Sequence, residues 1–234
     1  MISVAVDGPA GAGKSTICRR AAERLSFVYV DTGALYRAVG LYVLEQGADP
    51  ANRERVESLL RGLSVDLRFG QGGQTVLVNG LDVSEQIRTP AVSMAASAVS
   101  AIPAVRQFLF DTQRRLAEEH NVVMDGRDIG TVVLPDATVK IFLTAPLATR
   151  AKRRLLELEQ KGQAADLDTV LREMEQRDYN DSHRAAAPLR RAEDAILLDN
   201  GELTLEQSVD EMIRLVEETL RRLEQSESGE GSAQ

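Results

Sequence analysis

The sequence predicts an α/β domain in which a parallel β-sheet of about five strands is flanked by helices. The main support is that strand-like apolar runs alternate with helical segments, at the start of the chain and again after residue 121. A second observation lies between residues 63 and 80, where two runs of alternating apolar and polar residues predict a small antiparallel insert. With 234 residues, the chain is long enough to bury one large core.

The first predicted unit is a strand, a glycine-rich turn and a helix. The apolar run 2–6 precedes the turn, and a helical segment follows it to Leu25. The turn meets the pattern G-x-x-x-x-G-K-[ST], which is typical of phosphate-binding loops, because glycines let backbone N–H groups approach phosphate oxygens and the helix directs its positive end there. A dinucleotide-binding turn is excluded, since its third glycine would fall at Thr16.

Each residue of this loop is a candidate for binding the phosphates of a nucleotide. Lys14 is expected to reach the β- and γ-phosphates, and Ser15 to bind Mg²⁺. The full set is Gly8, Pro9, Ala10, Gly11, Ala12, Gly13, Lys14, Ser15 and Thr16.

The later elements continue the alternation of strands and helices. The sequence predicts a strand at 27–31, a helix from Thr32 to about Glu45, a short helix from Asn52 to Leu60, and the insert with its turn at 70–73. Next come two or three helices between 89 and 119, one beginning near Pro103, a strand at 121–125, apolar segments at 132–134 and 139–143, and a basic helix at 146–161. The segment 161–191 is expected to be a helix plus a mobile loop, followed by a strand at 195–199, a helix at 204–223 and a disordered polar end.

The composition excludes several classes of function. The net charge is −8, and residues 201–234, with nine acidic and three basic residues, contribute −6 of it. Nonspecific binding to a nucleic-acid polymer is excluded because it needs a basic surface. No leader and no stretch as long as a membrane span is recognised, so we expect a cytoplasmic protein without a membrane partner. The single cysteine, Cys18, is expected to be a buried apolar residue, and without a leftover apolar stripe we expect a monomer.

Charged residues far from the loop predict a second anionic substrate. A GTP-binding switch is excluded because the strings N-K-x-D and D-x-x-G do not occur. Arginine suits phosphate because its planar fork donates two parallel hydrogen bonds and stays charged. Arg127 is notable because it stands between Asp125 and Asp128 just past an apolar strand, where open α/β sheets bind ligands. The candidate arginines are Arg37, Arg106, Arg127, Arg177 and Arg184.

Four ordered motifs together resemble the bacterial cytidylate kinases. They are the phosphate loop, D-T-G-A-L-Y-R at 31–37, D-G-R-D-I-G-T at 125–131 and R-D-Y-N-D-S-H-R at 177–184. With the hairpin insert between the second and third motifs, the resemblance covers residues 2 to 223. It implies a P-loop kinase that transfers the γ-phosphoryl group of ATP to CMP, and to dCMP, with Mg²⁺ as the cofactor.

The resemblance also implies roles for individual residues. Those matching Thr32, Arg37, Arg127 and Arg184 would hold the phosphate of the acceptor, those matching Ser97, Arg106 and Asp128 would read cytosine, and those matching Tyr36, Arg177 and Asp181 would line the sugar. Lys14, Arg127 and Arg184 would be catalytic. Judged from the residues alone, two roles stay open for Asp125: an acceptor for the water shell of Mg²⁺, or a cap at the end of its strand. Family members often carry Gly-Thr after the loop lysine, whereas this chain has Ser15 and Thr16, so either hydroxyl could meet the metal, and we prefer Ser15.

The expected organisation is one kinase domain, 1–223, with a core of 1–62, 97–149 and 192–223, an acceptor-binding insert at about 63–96, a lid at about 150–191 and a disordered tail at 224–234. Judged without the resemblance, Ser97 would be a small helix-packing residue, and Arg150, Lys152, Arg153 and Arg154 would form a solvated helix face. Two alternatives stay open: a kinase of the same fold that acts on UMP or a non-nucleotide acceptor, and a nucleotide-dependent binding protein without enzymatic activity.

Overall fold

The chain is seen in a computed structural model that describes residues 1–70, 73–160 and 162–230. Its strands are β1 Ser3–Asp7, β2 Val28–Asp31, β3 Val65–Gly70, β4 Gly73–Val78, β5 Leu81–Asp82, β6 Val122–Gly126, β7 Val139–Thr144 and β8 Ile196–Asp199. Its α-helices are α1 Lys14–Leu25, α2 Thr32–Glu45, α3 Arg53–Leu60, α4 Pro90–Ser100, α5 Pro103–Glu119, α6 Leu147–Gln160, α7 Leu167–His183 and α8 Leu205–Glu230. A 3₁₀-helix, Gln86–Arg88, and a π-helix, Ile129–Val133, complete the described elements.

The central sheet has five parallel strands in the order β2-β6-β1-β7-β8, which confirms the predicted class. The strands β1, β2 and β6 end side by side, because Asp7 pairs with Gly126 and Asp31 pairs with Asp125. Three carboxylates therefore meet at the carboxyl edge of the sheet, the edge at which open α/β sheets bind ligands.

The core divides between the two faces of this sheet. Along β1, Val4 and Val6 belong to one apolar cluster and Ala5 to the other, as the two-residue period of a strand requires. The first cluster is covered by α1 and α8 and includes Cys18, whose predicted burial is confirmed. The second is covered by α2, α4, α5 and the insert.

The insert is a separate antiparallel sheet in the order β3-β4-β5. Two of its strands match the predicted hairpin, whereas β5 has only two residues, too few to show a pattern in the sequence. Gln71 and Gly72 of the predicted turn lie outside the described residues. Pro103 begins α5, as predicted, because proline lacks only an N–H that the first turn leaves free.

The C-terminal helix differs most from the sequence-based expectation. The sequence places its end near Leu223, with disorder from 224, whereas α8 continues to Glu230. The residues just past Leu223 are Glu224 and Gln225, both strong helix formers, so the helix has no local reason to stop there. Residues 231–234 of the predicted tail lie outside the described part of the chain.

The helices differ from membrane spans in length or in composition. Within the described ranges, no single helix is both long enough and apolar enough to cross a membrane. The helices α4 and α5, which meet at a bend of 99°, together have the length and composition of a span, and nothing beyond length and composition supports that reading.

Candidate active site

The phosphate loop joins β1 to α1 and is held against β7. A Cβ added at Gly8 would lie 1.9 Å from the carbonyl oxygen of Leu143, so the close approach of the loop to β7 requires glycine. Gly13 precedes α1 with a left-handed φ of 82°, which also favours glycine. This packing adds to the predicted reason for the glycines, namely access of backbone N–H groups to phosphate.

The side chain of Lys14 is enclosed by its own loop. Its Nζ donates hydrogen bonds to the carbonyl oxygens of Gly8, at 2.7 Å, and Pro9, at 2.8 Å. Burial lowers the pKa of Lys14 from its ordinary value, and the neighbouring Arg127 lowers it further. An anion in the loop would counter both effects and favour the ammonium form.

Asp125, at the carboxyl end of β6, accepts hydrogen bonds from side chains of three other elements. The Tyr29 hydroxyl donates to Oδ1 at 2.8 Å, Ser15 donates to Oδ2 at 3.0 Å, and Thr32 donates to the backbone carbonyl at 2.7 Å. Burial raises the pKa of the Asp125 carboxyl, and the nearby Asp31 raises it further. These bonds connect the phosphate loop with the start of α2.

Asp128 bridges two arginines on the opposite wall. Its Oδ1 accepts from Nη2 of Arg184 at 3.0 Å, and its Oδ2 pairs with Arg106. The guanidinium carbon of Arg106 also lies 5.7 Å from the ring centre of Tyr36. Asp128 is buried and both arginines are nearly so, and the two cations share one carboxylate, so the group keeps a net charge of +1.

The other two candidate phosphate-binding arginines are paired in the same way. Arg37 contacts Asp31 at 2.7 Å, and Arg127 contacts Asp181 at 2.8 Å. Asp31 also accepts a hydrogen bond from the backbone N–H of Ala34, so it caps the helix that carries Arg37.

All the residues expected to contact CMP line one cleft of about 500 Å³ beside the phosphate loop. They are Thr32, Tyr36, Arg37, Ser97, Arg106, Arg127, Asp128, Arg177, Asp181 and Arg184. Asp125 and the loop residues Ala10, Gly11, Gly13, Lys14, Ser15 and Thr16 line it as well, whereas Gly8, Pro9 and Ala12 do not. Ser97 is exposed to this cleft, so the alternative of a helix-packing serine is wrong.

The basic helix α6 contributes to the site in a way that its composition does not reveal. Arg150 is only 5% exposed, donates to the carbonyl of Ala10 at 2.9 Å and pairs with Asp178 of α7 at 2.7 Å. Arg154, one turn later, lines the cleft. The interpretation of this helix as a solvated basic face is therefore wrong for Arg150, whereas Arg154 is exposed, as that interpretation requires, and lines the cleft as well. Their spacing of four, which places them on one side of a helix, was the available signal.

Two further cleft residues have no sequence pattern that points to them. Gln113 is 1% exposed on α5 and lines the cleft. Met174 of α7 also lines it, and its methyl group would lie 2.6 Å from a Cβ added at Gly11, so α7 packs directly on the phosphate loop.

Comparison with known proteins gives one consistent result. A family model described as cytidylate kinase matches residues 4–218. The chain is 50% identical over 214 residues to a cytidylate kinase from Caldicellulosiruptor saccharolyticus, covering 92% of this chain and 95% of that protein. It is 49% identical over 219 residues to a cytidylate kinase from Geobacillus kaustophilus, covering 94% and 98%.

Among solved structures, an uncharacterised protein from Eubacterium ventriosum has a similar fold. The TM-score is 0.51 at 15% sequence identity, and the match covers 93% of this chain and 99% of that one. At this level of identity, the likeness concerns the fold alone.

Proposed function

Because the chain belongs to the cytidylate kinase family, we propose that it transfers the γ-phosphoryl group of ATP to CMP, and to dCMP, giving ADP and the nucleoside diphosphate. The observation that carries the proposal is the single cleft in which the phosphate loop faces Asp128 and its two arginines. A phosphate loop alone accounts for the phosphoryl donor. Asp128 and its arginines account for an anionic phosphoryl acceptor whose base has both hydrogen-bond donors and hydrogen-bond acceptors.

On the donor side, the phosphate loop would hold the phosphates of ATP. The backbone N–H groups of the loop and the N-terminus of α1 suit the phosphate oxygens. Lys14 would exchange its bonds with the Gly8 and Pro9 carbonyls for bonds with the β- and γ-phosphates. Burial lowers the pKa of Lys14, and the negative charge of the phosphates would raise it again, which favours the protonated form.

The residues beside the loop fit Mg²⁺. This ion prefers oxygen ligands, keeps several waters and uses one or two carboxylates together with phosphates. Ser15, exposed to the cleft, offers a hydroxyl 3.0 Å from the Asp125 carboxylate, which would bind the waters of the ion. No cluster of three or more His, Cys, Asp or Glu among the described residues could hold a metal on its own, which agrees with an ion held mainly by nucleotide and water. When bound, Mg²⁺ neutralises charge on the β- and γ-phosphates.

On the acceptor side, Arg37, Arg127 and Arg184, with Thr32, would hold the phosphate of CMP. Each of the three arginines already contacts a carboxylate, yet a guanidinium has five N–H donors, so further donors remain for a phosphate. The carboxylates fix the planes of the guanidinium groups before the substrate arrives. Such preorganisation lowers the entropy lost on binding.

Base selection would fall to Ser97, Arg106 and Asp128. A carboxylate can accept from the amino group of cytosine, and a guanidinium can donate to its ring nitrogen and carbonyl oxygen, so both signs of charge are needed. Tyr36, Arg177 and Asp181 would line the sugar.

Phosphoryl transfer of this kind needs positioning and charge compensation more than a general base. Lys14, Arg127 and Arg184 would neutralise two anions that otherwise repel each other. The lid, 150–191, would close over the donor and exclude water, which prevents hydrolysis of ATP. We further propose that the protein acts as a cytoplasmic monomer without membrane or nucleic-acid partners, and that its tail, 224–234, lies outside the kinase domain.

An acceptor panel tests the proposal. ADP release is measured with CMP, dCMP, UMP, AMP, GMP and shikimate at fixed MgATP. We expect rapid release with CMP and dCMP and at least tenfold lower kcat/KM with every other acceptor. A preference for UMP or shikimate would assign the site to another kinase, and ATP binding without product from any acceptor would indicate a binding protein.

A further inference from the structure

The carboxylate of Asp7 has no part in the proposed roles of the cleft residues. Asp7 ends β1 directly before Gly8 and is only 5% exposed. Its Oδ1 accepts a hydrogen bond from the backbone N–H of Ile129, and its Oδ2 accepts one from Gly130, both at 2.8 Å. These donors follow Asp128 immediately in the chain, so Asp7 connects the phosphate loop with the side of the cleft formed by Asp128 and its two arginines.

The two N–H groups need an external acceptor because they open the π-helix Ile129–Val133. The first N–H groups of a helix have no partner inside it, and the residue before the helix commonly accepts one with its side chain. Asp128 holds that position, and aspartate is among the preferred capping residues, yet its side chain makes no capping bond. Its two oxygens contact Arg184 and Arg106 instead.

We propose that Asp7 is a positioning residue for the acceptor site: it accepts the N–H groups of Ile129 and Gly130 and thereby leaves the carboxylate of Asp128 free to face the cleft. A carboxylate suits this task because it has two oxygens that only accept, matching two neighbouring donors. The NH₂ group of an asparagine is a donor, so it would face one of the two N–H donors without forming a hydrogen bond. The inference rests on the proposed function, because the importance of Asp128 for CMP belongs to that function.

A double-mutant cycle tests the proposal. Steady-state rates are measured for the wild type, Asp7→Asn, Asp128→Asn and the double variant. CMP is varied at saturating MgATP, and MgATP is then varied at saturating CMP. A lost hydrogen bond to a charged group costs about 1.5–3 kcal/mol, so we expect D7N to raise the KM for CMP roughly 10- to 100-fold and to change the KM for ATP less than about twofold. If Asp7 acts through Asp128, D7N has no further effect on the KM for CMP in the D128N background. Additive effects, or equal changes in the two KM values, would overturn the proposal.

Ser3→Ala is the matched control. Ser3 lies at the other end of β1, and its Oγ accepts a hydrogen bond from the backbone N–H of Thr138 at 3.3 Å. S3A also removes a hydrogen bond from a backbone N–H to a side chain of β1, but at the end of the strand that is distant from the cleft. Both KM values are expected to stay within about twofold of the wild type. Asp7→Ser, which keeps one acceptor, replaces D7N in the cycle if D7N does not fold.

Amide hydrogen exchange separates a failure of this inference from a failure of the proposed function. In D7N, exchange at Ile129 and Gly130 is expected to rise at least tenfold, whereas S3A leaves it unchanged. This result does not depend on which acceptor the enzyme phosphorylates. Unchanged protection of both amides in D7N would refute the contact on which the inference stands, whereas a wild type inactive on CMP would refute the proposed function.

Discussion

The ionisation of Asp7 is predicted to make the protein less stable as the pH rises from about 4 to about 6. Burial raises the pKa of Asp7 from the ordinary 3.8 to about 6, against the opposing effect of the Ile129 and Gly130 N–H groups. Between these pH values, the folded state keeps a proton that the unfolded state has already lost, so the free energy of unfolding falls with rising pH. An interval of about two pH units corresponds to about 3 kcal/mol.

Comparison with Asp7→Asn isolates this contribution. Urea unfolding of the wild type and D7N at several values between pH 4 and pH 7.5 gives the free energy of unfolding of each. Asp125 titrates in both proteins, whereas Asp7 and Lys14 shift each other's pKa, so the difference reports the ionisation of Asp7 together with its interaction with Lys14. We expect the stability of D7N relative to the wild type to rise by about 3 kcal/mol across this range and then to level off. A difference that is constant with pH, or that falls, would refute the assignment of a buried, destabilising charge to Asp7.

Three further predictions concern the loop, the lid and the insert. Lys14→Ala is expected to lower kcat at least 10²- to 10³-fold with no loss of stability in urea, and near-normal turnover would contradict its role. Arg150→Met leaves Asp178 and the Ala10 carbonyl without their cation, so urea unfolding should show that the free energy of unfolding falls by about 3 kcal/mol, with a lower thermal midpoint. Unchanged midpoints would mean that the ion pair contributes nothing to stability. Gln74 of the insert accepts from the N–H of Asp31 at 2.9 Å and donates to its carbonyl at 3.4 Å, so Gln74→Leu should raise the KM for CMP several-fold and leave that for ATP unchanged. Arg68→Ala, at an exposed position of the same insert, is the control for Q74L, and an equal effect of both variants would argue against a specific contact.

The features that were predictable from the sequence are those that a short stretch determines. The alternating runs of 63–80, the apolar strands and the glycine-rich loop each carry their own periodicity or spacing. Pro103 at the start of α5 is likewise a local effect. These patterns suffice for the fold class because parallel strands joined by helices leave few topologies open.

The features that were not predictable depend on contacts between distant parts of the chain. The bridging of Arg106 and Arg184 by Asp128 joins residues 22 and 56 positions apart. The hydrogen bonds that Asp7 accepts from Ile129 and Gly130 span more than 120 positions and exist only because β6 lies beside β1. Arg150 looked like a surface residue because its partners, Ala10 and Asp178, come from the phosphate loop and from α7.

The candidate site shows why charged residues of both signs accumulate at this edge of the sheet. The three adjacent strands β1, β2 and β6 each place an aspartate there, and the side chains of all three accept hydrogen bonds from groups of other elements or of the following helix. Burying an unpaired charge costs several kcal/mol, so the partly buried arginines of the cleft need compensating charges. Asp31, Asp128 and Asp181 supply that compensation and at the same time fix the direction of each guanidinium. These three carboxylates therefore need not oppose the binding of the proposed anionic substrate, because each is already paired with an arginine.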